Sequence, residues 1–154
     1  MSDEVHEDCR KFRGHMQRFS LVFTAGMNNM LGRGGINLPQ YNTMCILQEQ
    51  GSVKMGDLAR QLGVTMGAAT NIADKLVRSG SVSRQRDEHD RRVVRLELTA
   101  KGKRQVGEVD ETFVQFCTGV MQQLDAETRK RFLEQFGQVL DMMQKQTEAA
   151  VNEK

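Results

Sequence analysis

The chain has no tryptophan, a single tyrosine and a single proline, and its three cysteines show no CxxC spacing. So few aromatic rings disfavour the stacking platforms on which single-stranded nucleic acid is bound. An odd number of cysteines without paired spacing disfavours both a disulfide framework and a structural zinc site. We therefore expect reduced thiols, and the ten methionines predict an adaptable apolar core.

Long apolar runs and a strong net charge are also missing. No run approaches the roughly 20 apolar residues of a membrane span, and the N-terminus is acidic, unlike a signal peptide. We therefore expect a cytoplasmic protein with no membrane partner. The formal net charge is only +2, so the distribution of charge is more informative than its total.

Two long segments carry apolar side chains at every third or fourth position, residues 4–31 and 106–143. This spacing predicts helices with one apolar stripe each, and such a stripe must be covered. A dimer interface and an intramolecular bundle would satisfy the pattern equally well. Asp125 and Glu127 indicate a fresh helix start within the second segment.

The middle of the chain predicts several short helices. Pro39 suits the first turn of a helix that Gly51 can end. A second short helix lies in KMGDLARQLGV and is closed by Gly63. Thr65 is the predicted N-cap of the next helix, TMGAATNIADKLVRSG, which Gly80 ends. Two short helices joined by a glycine-containing turn form a helix-turn-helix.

A basic hairpin is predicted directly after this motif. SVSRQR and RVVRLEL flank DEHDR, which is rich in turn formers and charge, so we expect two strands and a loop. Residues 75–95 carry seven Lys and Arg against three acids. Thr99 is the predicted cap of the following helix. The predicted fold is therefore mainly α with a small β-hairpin, an α+β winged helix-turn-helix.

This combination suits duplex DNA, because the second helix can enter the major groove and present its N-terminal half to base edges. Small residues there permit close approach, Thr70 and Asn71 can hydrogen-bond to bases or phosphates, and Lys75 is expected to meet the backbone. The predicted contacts of this helix are Thr65, Gly67, Ala68, Thr70, Asn71 and Lys75.

The hairpin would lie along the adjacent minor groove, whose negative potential attracts an inserted arginine. We expect Arg92 to take that position, held by Asp90, while Arg84, Arg86 and Arg91 contact phosphates or orient the loop. A solvated hairpin that protects a sheet edge is the alternative.

Four segments carry a family resemblance: MGDLARQLGVT, ATNIADKLVRSGSVSR, the DRR of the hairpin and LELTAKG. Over Leu38 to about Gly107 the chain resembles the MarR family of bacterial transcriptional regulators. The resemblance implies a winged-helix homodimer with interlocked terminal helices, and an Asp-x-Arg in the wing that matches Asp90 and Arg92. One departure is the opening MGAA of the recognition helix, which offers fewer direct base contacts and shifts sequence preference towards the wing and DNA shape.

The resemblance also implies an organisation and a partner. We expect an N-terminal dimerisation helix in residues 1–34, a winged helix-turn-helix lobe in 35–99, and C-terminal helices completing the dimerisation region in 100–154. Two recognition helices related by a two-fold axis need inverted half-sites about one helical turn apart. The expected partner is a pseudopalindromic duplex, bound with strong salt dependence.

Family members typically repress their targets until a small ligand binds or a cysteine is oxidised, and a few sense zinc. Cys9 is the candidate redox sensor, because Arg10 and Lys11 could favour its thiolate. An inert thiol within the apolar stripe is the alternative. His6 and Cys9 alone are too few ligands for a metal site, so no metal or cofactor is expected.

Two other function classes compete with a regulator. The sequence has no G-x-S-x-G, HExxH or P-loop motif and no cluster of histidines with carboxylates, so an enzyme is not expected. A winged helix used only for protein–protein interaction is the second alternative. Such a module has no reason to concentrate arginine at the hairpin.

Overall fold

The computed structural model describes residues 3–86 and 93–152, and within them the fold is mainly helical with one small sheet. The elements are α1 (Asp3–Arg33), α2 (Leu38–Gln50), β1 (Ser52–Lys54), α3 (Met55–Leu62), α4 (Met66–Arg78), β2 (Val82–Arg86), β3 (Val94–Leu98), α5 (Ala100–Met121) and α6 (Ala126–Asn152). The predicted fold class is confirmed. The chain forms two compact units, Met1–Thr112 and Phe113–Lys154.

The sheet of the first unit has three antiparallel strands in the order β1-β3-β2. The predicted hairpin of β2 and β3 is confirmed, and a third strand that was not predicted, β1, pairs with the other edge of β3. Val53 of β1 lies opposite Leu96 at the centre of β3. A three-residue strand directly after a helix is too short for an alternating pattern to appear in the sequence.

The core of the first unit lies between the sheet and helices α2, α3 and α4. Leu96 of β3 is fully buried. The fully buried leucines and methionine of the helices are Leu31, Met44, Leu47, Leu58 and Leu76. Leu31 near the end of α1 and Val106 near the beginning of α5 are buried as well.

The helix ends follow local side-chain chemistry. Asn37 and Gln40 form a capping box at the start of α2, with Pro39 in its first turn. Gly63 ends α3 with a φ of 65°, in the left-handed region that favours glycine, as predicted. Gly80 has a φ of 75° after α4, so the predicted left-handed stop is also confirmed.

The second unit comprises the end of α5 and all of α6. The backbone N–H of Thr128 donates to Oδ1 of Asp125 at 2.9 Å, which confirms the predicted helix start. A hydrogen bond from the Thr128 side chain, and secondly the one from its backbone N–H, lower the pKa of the Asp125 carboxyl. Phe132 and Phe136 stack with ring centroids 5.6 Å apart. Large apolar side chains exposed in this unit are Val114, Phe116, Val120, Phe132, Leu133, Leu140, Met142 and Met143.

Within the described residues, none of the helices combines the length and apolarity needed to cross a membrane.

Candidate nucleic-acid interface

Helix α4, the predicted recognition helix, has one buried face and one exposed face. Ala69, Ala73 and Leu76 are fully buried against the lobe. The exposed residues of the opposite face are Gly67, Ala68, Asn71, Lys75 and Arg78. Along this face, small residues come first, then an amide, then two cations. Such a surface permits close approach at one end and phosphate contact at the other.

The N-terminus of α4 is capped as predicted. Oγ1 of Thr65 accepts a hydrogen bond from the backbone N–H of Ala68 at 3.3 Å. Thr70 is half-buried, and its hydroxyl donates to the carbonyl of Met66 at 2.8 Å. The proton of Thr70 is therefore used within the helix, which leaves its methyl group and oxygen lone pairs for a ligand. Asn71 keeps an exposed amide with both donors and acceptors.

The end of α4 is attached to the beginning of α5 by a chain of hydroxyl groups. The buried Ser81 hydroxyl donates to Oε1 of Gln105 at 2.6 Å and lies 2.9 Å from that of Ser79. Thr99 donates to the carbonyl of Gly80 at 2.7 Å. Thr99 also accepts from the N–H of Gly102 at 3.1 Å, which confirms its predicted capping role. The C-terminal end of α4 is thus held against α5.

The strands of the hairpin divide their side chains between two faces. Residues directly opposite in the register share a face, so Arg84 lies on the same face as buried Leu96. That face is turned to the helices. Nη2 of Arg84 forms an ion pair with Oδ1 of Asp74 on α4 at 2.8 Å. Arg86, the last residue of β2, is exposed.

The tip of the hairpin, residues 87–92, lies outside the described residues. Asp90, Arg91 and Arg92 belong to it, so their predicted roles at the minor groove remain predictions. The strands on either side, which the structure does describe, are paired up to Arg86 and Val94.

A cleft of about 490 Å³ lies between the starts of α3 and α4 and the hairpin strands. Met66, Thr70 and Arg84 are among its lining residues, as are Lys54 and Asp57. The cleft therefore places one wing arginine beside the first turn of the recognition helix.

Helices α2 and α5 meet at a polar contact that the sequence did not reveal. The Tyr41 hydroxyl donates to Oδ1 of Asp110 in a short hydrogen bond. Partial burial, and secondly this bond, raise the pKa of Tyr41 well above its ordinary value. Cys45 lies one turn further along α2, and burial raises the pKa of its thiol. The contact joins residues 69 positions apart in the chain.

The candidate sensor Cys9 is exposed on α1, whereas Cys45 and Cys117 are half-buried. Among the residues that the structure describes, no three His, Cys, Asp or Glu side chains are grouped as metal ligands would be.

Comparison with known proteins identifies the family. The model of the MarR family matches residues 36–94. The transcriptional repressor MprA of Escherichia coli K12 is 33% identical over 131 residues, which cover 75% of this chain and 74% of MprA. The HTH-type transcriptional regulator YfiV of Bacillus subtilis is 33% identical over 69 residues, covering 45% of this chain and only 43% of YfiV.

Solved structures share the fold. A MarR family protein from Bacillus stearothermophilus has a TM-score of 0.83 and 24% identity, covering 94% of this chain and 99% of that one. FabT of Streptococcus pneumoniae, solved in complex with DNA, has a TM-score of 0.74 and 22% identity, covering 88% and 96%. The curated relatives are named as regulators, which confirms the expectation of a regulator and not an enzyme. The structure contains a winged helix, and the match to MprA covers 74% of that repressor. The chain therefore belongs to the MarR family of DNA-binding transcriptional regulators.

Proposed function

We propose that this regulator is a homodimeric repressor that binds a pseudopalindromic DNA duplex through α4 and the basic hairpin. The exposed face of α4 is the observation that carries the proposal, because Asn71, Lys75 and Arg78 line it opposite a fully buried face. MprA is named a repressor and FabT was solved with DNA, which supports the same role here.

Within this proposal each candidate residue has a role. Thr65, Gly67 and Ala68 let the start of α4 approach the major groove, where Thr70 offers its methyl group. Asn71 contacts a base edge and Lys75 contacts a phosphate. Arg86 and Arg91 contact phosphates beside the minor groove, and Arg92, held by Asp90, enters it. Arg84 orients the hairpin through its ion pair.

Dimerisation forms the second part of the proposal, with residues 1–34 and 100–154 joining two copies and residues 35–99 forming the DNA-binding lobe. Exposed rings support it. Phe12 and Phe19 on α1 are 42% and 49% exposed, and Phe116 on α5 is 53% exposed. Apolar surface on this scale is costly in water and marks an interaction site. A cytoplasmic location belongs to the same proposal.

Release from DNA is the third part. We propose that a small ligand, or oxidation of a cysteine, relieves repression. Cys9 is the better redox candidate because it is exposed, whereas burial raises the pKa of Cys45 and so disfavours its reactive thiolate. A loss of DNA binding after peroxide that Cys9→Ser prevents would support oxidation, and an unaltered peroxide response of Cys9→Ser would exclude Cys9.

Binding of the full chain to DNA from its own upstream region tests the first part. We expect Arg92→Ala to weaken binding by about 1–3 kcal/mol in fluorescence anisotropy. Arg131→Ala is the matched control, because it removes the same charge from the exposed surface of α6. Equal losses in the two variants would contradict a role of the wing. The absence of binding to any duplex at low salt would refute the whole proposal and favour a protein-binding module.

A further inference from the structure

Asp74 places a carboxylate on the recognition helix, three residues after Asn71 and on the side turned to the hairpin. A carboxylate there would repel phosphate if it were unpaired. Its Oδ1 lies 2.8 Å from Nη2 of Arg84 on β2, so the two charges balance each other. The pair joins the recognition helix to the wing, unlike the pair of Asp57 with Arg60, which lies within α3.

The pair places the Arg84 guanidinium beside Asp74 but remains open to solvent. The side chains of Arg84 and Asp74 are 36% and 44% exposed, so salt screens their attraction. Arg84 also lines the cleft beside Met66 and Thr70, at the first turn of α4. Without Asp74, its guanidinium would be an uncompensated cation next to the surface that meets DNA.

Binding to DNA of arbitrary sequence depends on contacts between cations and phosphates, and each contact releases counterions. A free arginine at this position would strengthen binding to every duplex alike. Arginine held by a carboxylate on its own protein adds nothing to that sequence-independent term. A neutralised pair therefore increases the difference in affinity between a preferred duplex and all others.

We propose that Asp74 is a specificity-determining residue, which holds Arg84 away from the phosphate backbone and so limits binding to DNA of arbitrary sequence. The inference rests on the proposed function, since it requires α4 and the hairpin to meet the duplex. Asp74 acts through Arg84 and does not itself contact DNA.

The test compares two duplexes of equal length, one enriched by the wild-type protein from a random pool and one of random sequence. We expect Asp74→Asn to bind the random duplex more tightly than wild type. The slope of log affinity against log salt should steepen by about 0.9, the value of one added phosphate contact. Between 50 and 200 mM salt, its affinity should fall by about 3.5-fold more than that of wild type. The ratio of the affinity for the enriched duplex to the affinity for the random duplex should drop.

Three variants distinguish the release of Arg84 from a general change in net charge or a loss of folding. Glu108→Gln removes the same charge from an exposed position on α5 and should leave the slope unchanged. Asp74→Glu keeps the carboxylate and should resemble wild type. In Asp74→Asn with Arg84→Gln the slope should return to the wild-type value, because the freed cation is gone.

Opposite results would overturn the inference. If wild type binds DNA but Asp74→Asn alters neither the slope nor the ratio, Asp74 does not control specificity and the proposed function still stands. If wild type binds no duplex, the proposed function itself fails. Should Asp74→Asn not fold, Arg84→Gln alone decides: an unchanged slope supports the inference, whereas a slope shallower by about one unit shows that Arg84 already contacts phosphate.

Discussion

Gly102 on α5 lies directly against the backbone carbonyl of Ser81, which follows α4. A Cβ atom at Gly102 would stand 2.1 Å from the Ser81 oxygen, far inside contact distance. Thr99 secures the same junction, since its hydroxyl donates to Gly80 and accepts from the Gly102 N–H. Only a residue without a side chain allows the recognition helix and α5 to meet this closely.

We therefore expect Gly102→Ala to destabilise the protein. The added methyl group cannot be accommodated by rotating a side chain, because it meets backbone, so the junction must open. Overpacking of this kind costs about 1–3 kcal/mol in the free energy of unfolding. Urea denaturation followed by circular dichroism measures it, and DNA affinity should fall as well if the junction orients α4.

Gly107→Ala on the same helix is the control. Among the described residues, no atom outside the neighbouring backbone comes within 4 Å of a Cβ built there. Alanine should instead stabilise α5 by about 0.5–1 kcal/mol, because it is the better helix former. Similar destabilisation by both substitutions would show that the approach to Ser81 is not what matters at Gly102.

The cap of the recognition helix provides the next prediction. Thr65→Ala removes the oxygen that accepts from Ala68 N, and should cost about 1 kcal/mol in the free energy of unfolding. Thr65→Ser keeps the oxygen and should recover most of this loss. Thr112→Ala is the comparison, because the hydroxyl of that residue donates back to the carbonyl of Glu108 within α5. If the cap did not stabilise α4, Thr65→Ala would reduce the free energy of unfolding no more than Thr112→Ala does.

The ends of the helices were predictable because the chemistry that sets them is local. Thr65, Gly63 and Thr99 each act within about three residues of the boundary they define, so their spacing in the sequence is sufficient. The same holds for the Asp125 cap at the start of α6. The spacing of apolar residues and the capping residues predicted the helices of the candidate interface, and the turn-forming residues predicted its hairpin.

Contacts between distant segments were not predictable. The pairing of Arg84 with Asp74 depends on the register of β2, which decides which face each arginine takes. The bond of Tyr41 with Asp110 spans 69 positions, and no sequence pattern links the two residues. Strand β1 pairs with β3, which lies far from it in the sequence. The sequence therefore predicted which arginines the wing carries, but not which of them the protein itself neutralises.

Tyr41 can be observed directly because it is the single tyrosine and the chain has no tryptophan. Burial, and secondly its bond to Asp110, raise its pKa from an ordinary value of 10.0. The near-ultraviolet absorbance of tyrosinate should therefore appear at higher pH in the native protein than in the urea-unfolded chain. Asp110→Asn should lower the native midpoint only part of the way, since burial is the larger cause.

The same shift makes stability depend on pH in the alkaline range. Above about pH 10 the unfolded chain loses a proton that native Tyr41 retains, so the free energy of unfolding falls as the pH rises further. Below that pH both states keep the proton and Tyr41 contributes no dependence. Tyr41→Phe should show a shallower alkaline decline than wild type. Coincident native and unfolded titration midpoints would contradict both the partial burial of Tyr41 and its hydrogen bond to Asp110.

Asn71 and Lys75 lie four residues apart on the exposed face of α4. Replacing each by alanine should weaken DNA binding in a different way. An amide that contacts a base edge discriminates between sequences, so Asn71→Ala should relax preference at one position of each half-site, by about 1–3 kcal/mol. A lysine that contacts phosphate does not discriminate, so Lys75→Ala should weaken binding to all duplexes alike and make the salt slope shallower by about one unit. Enrichment from a random pool measures the first effect and a salt titration the second. If Lys75→Ala alters sequence preference while Asn71→Ala changes only the salt slope, then the C-terminal half of α4, and not its start, faces the bases.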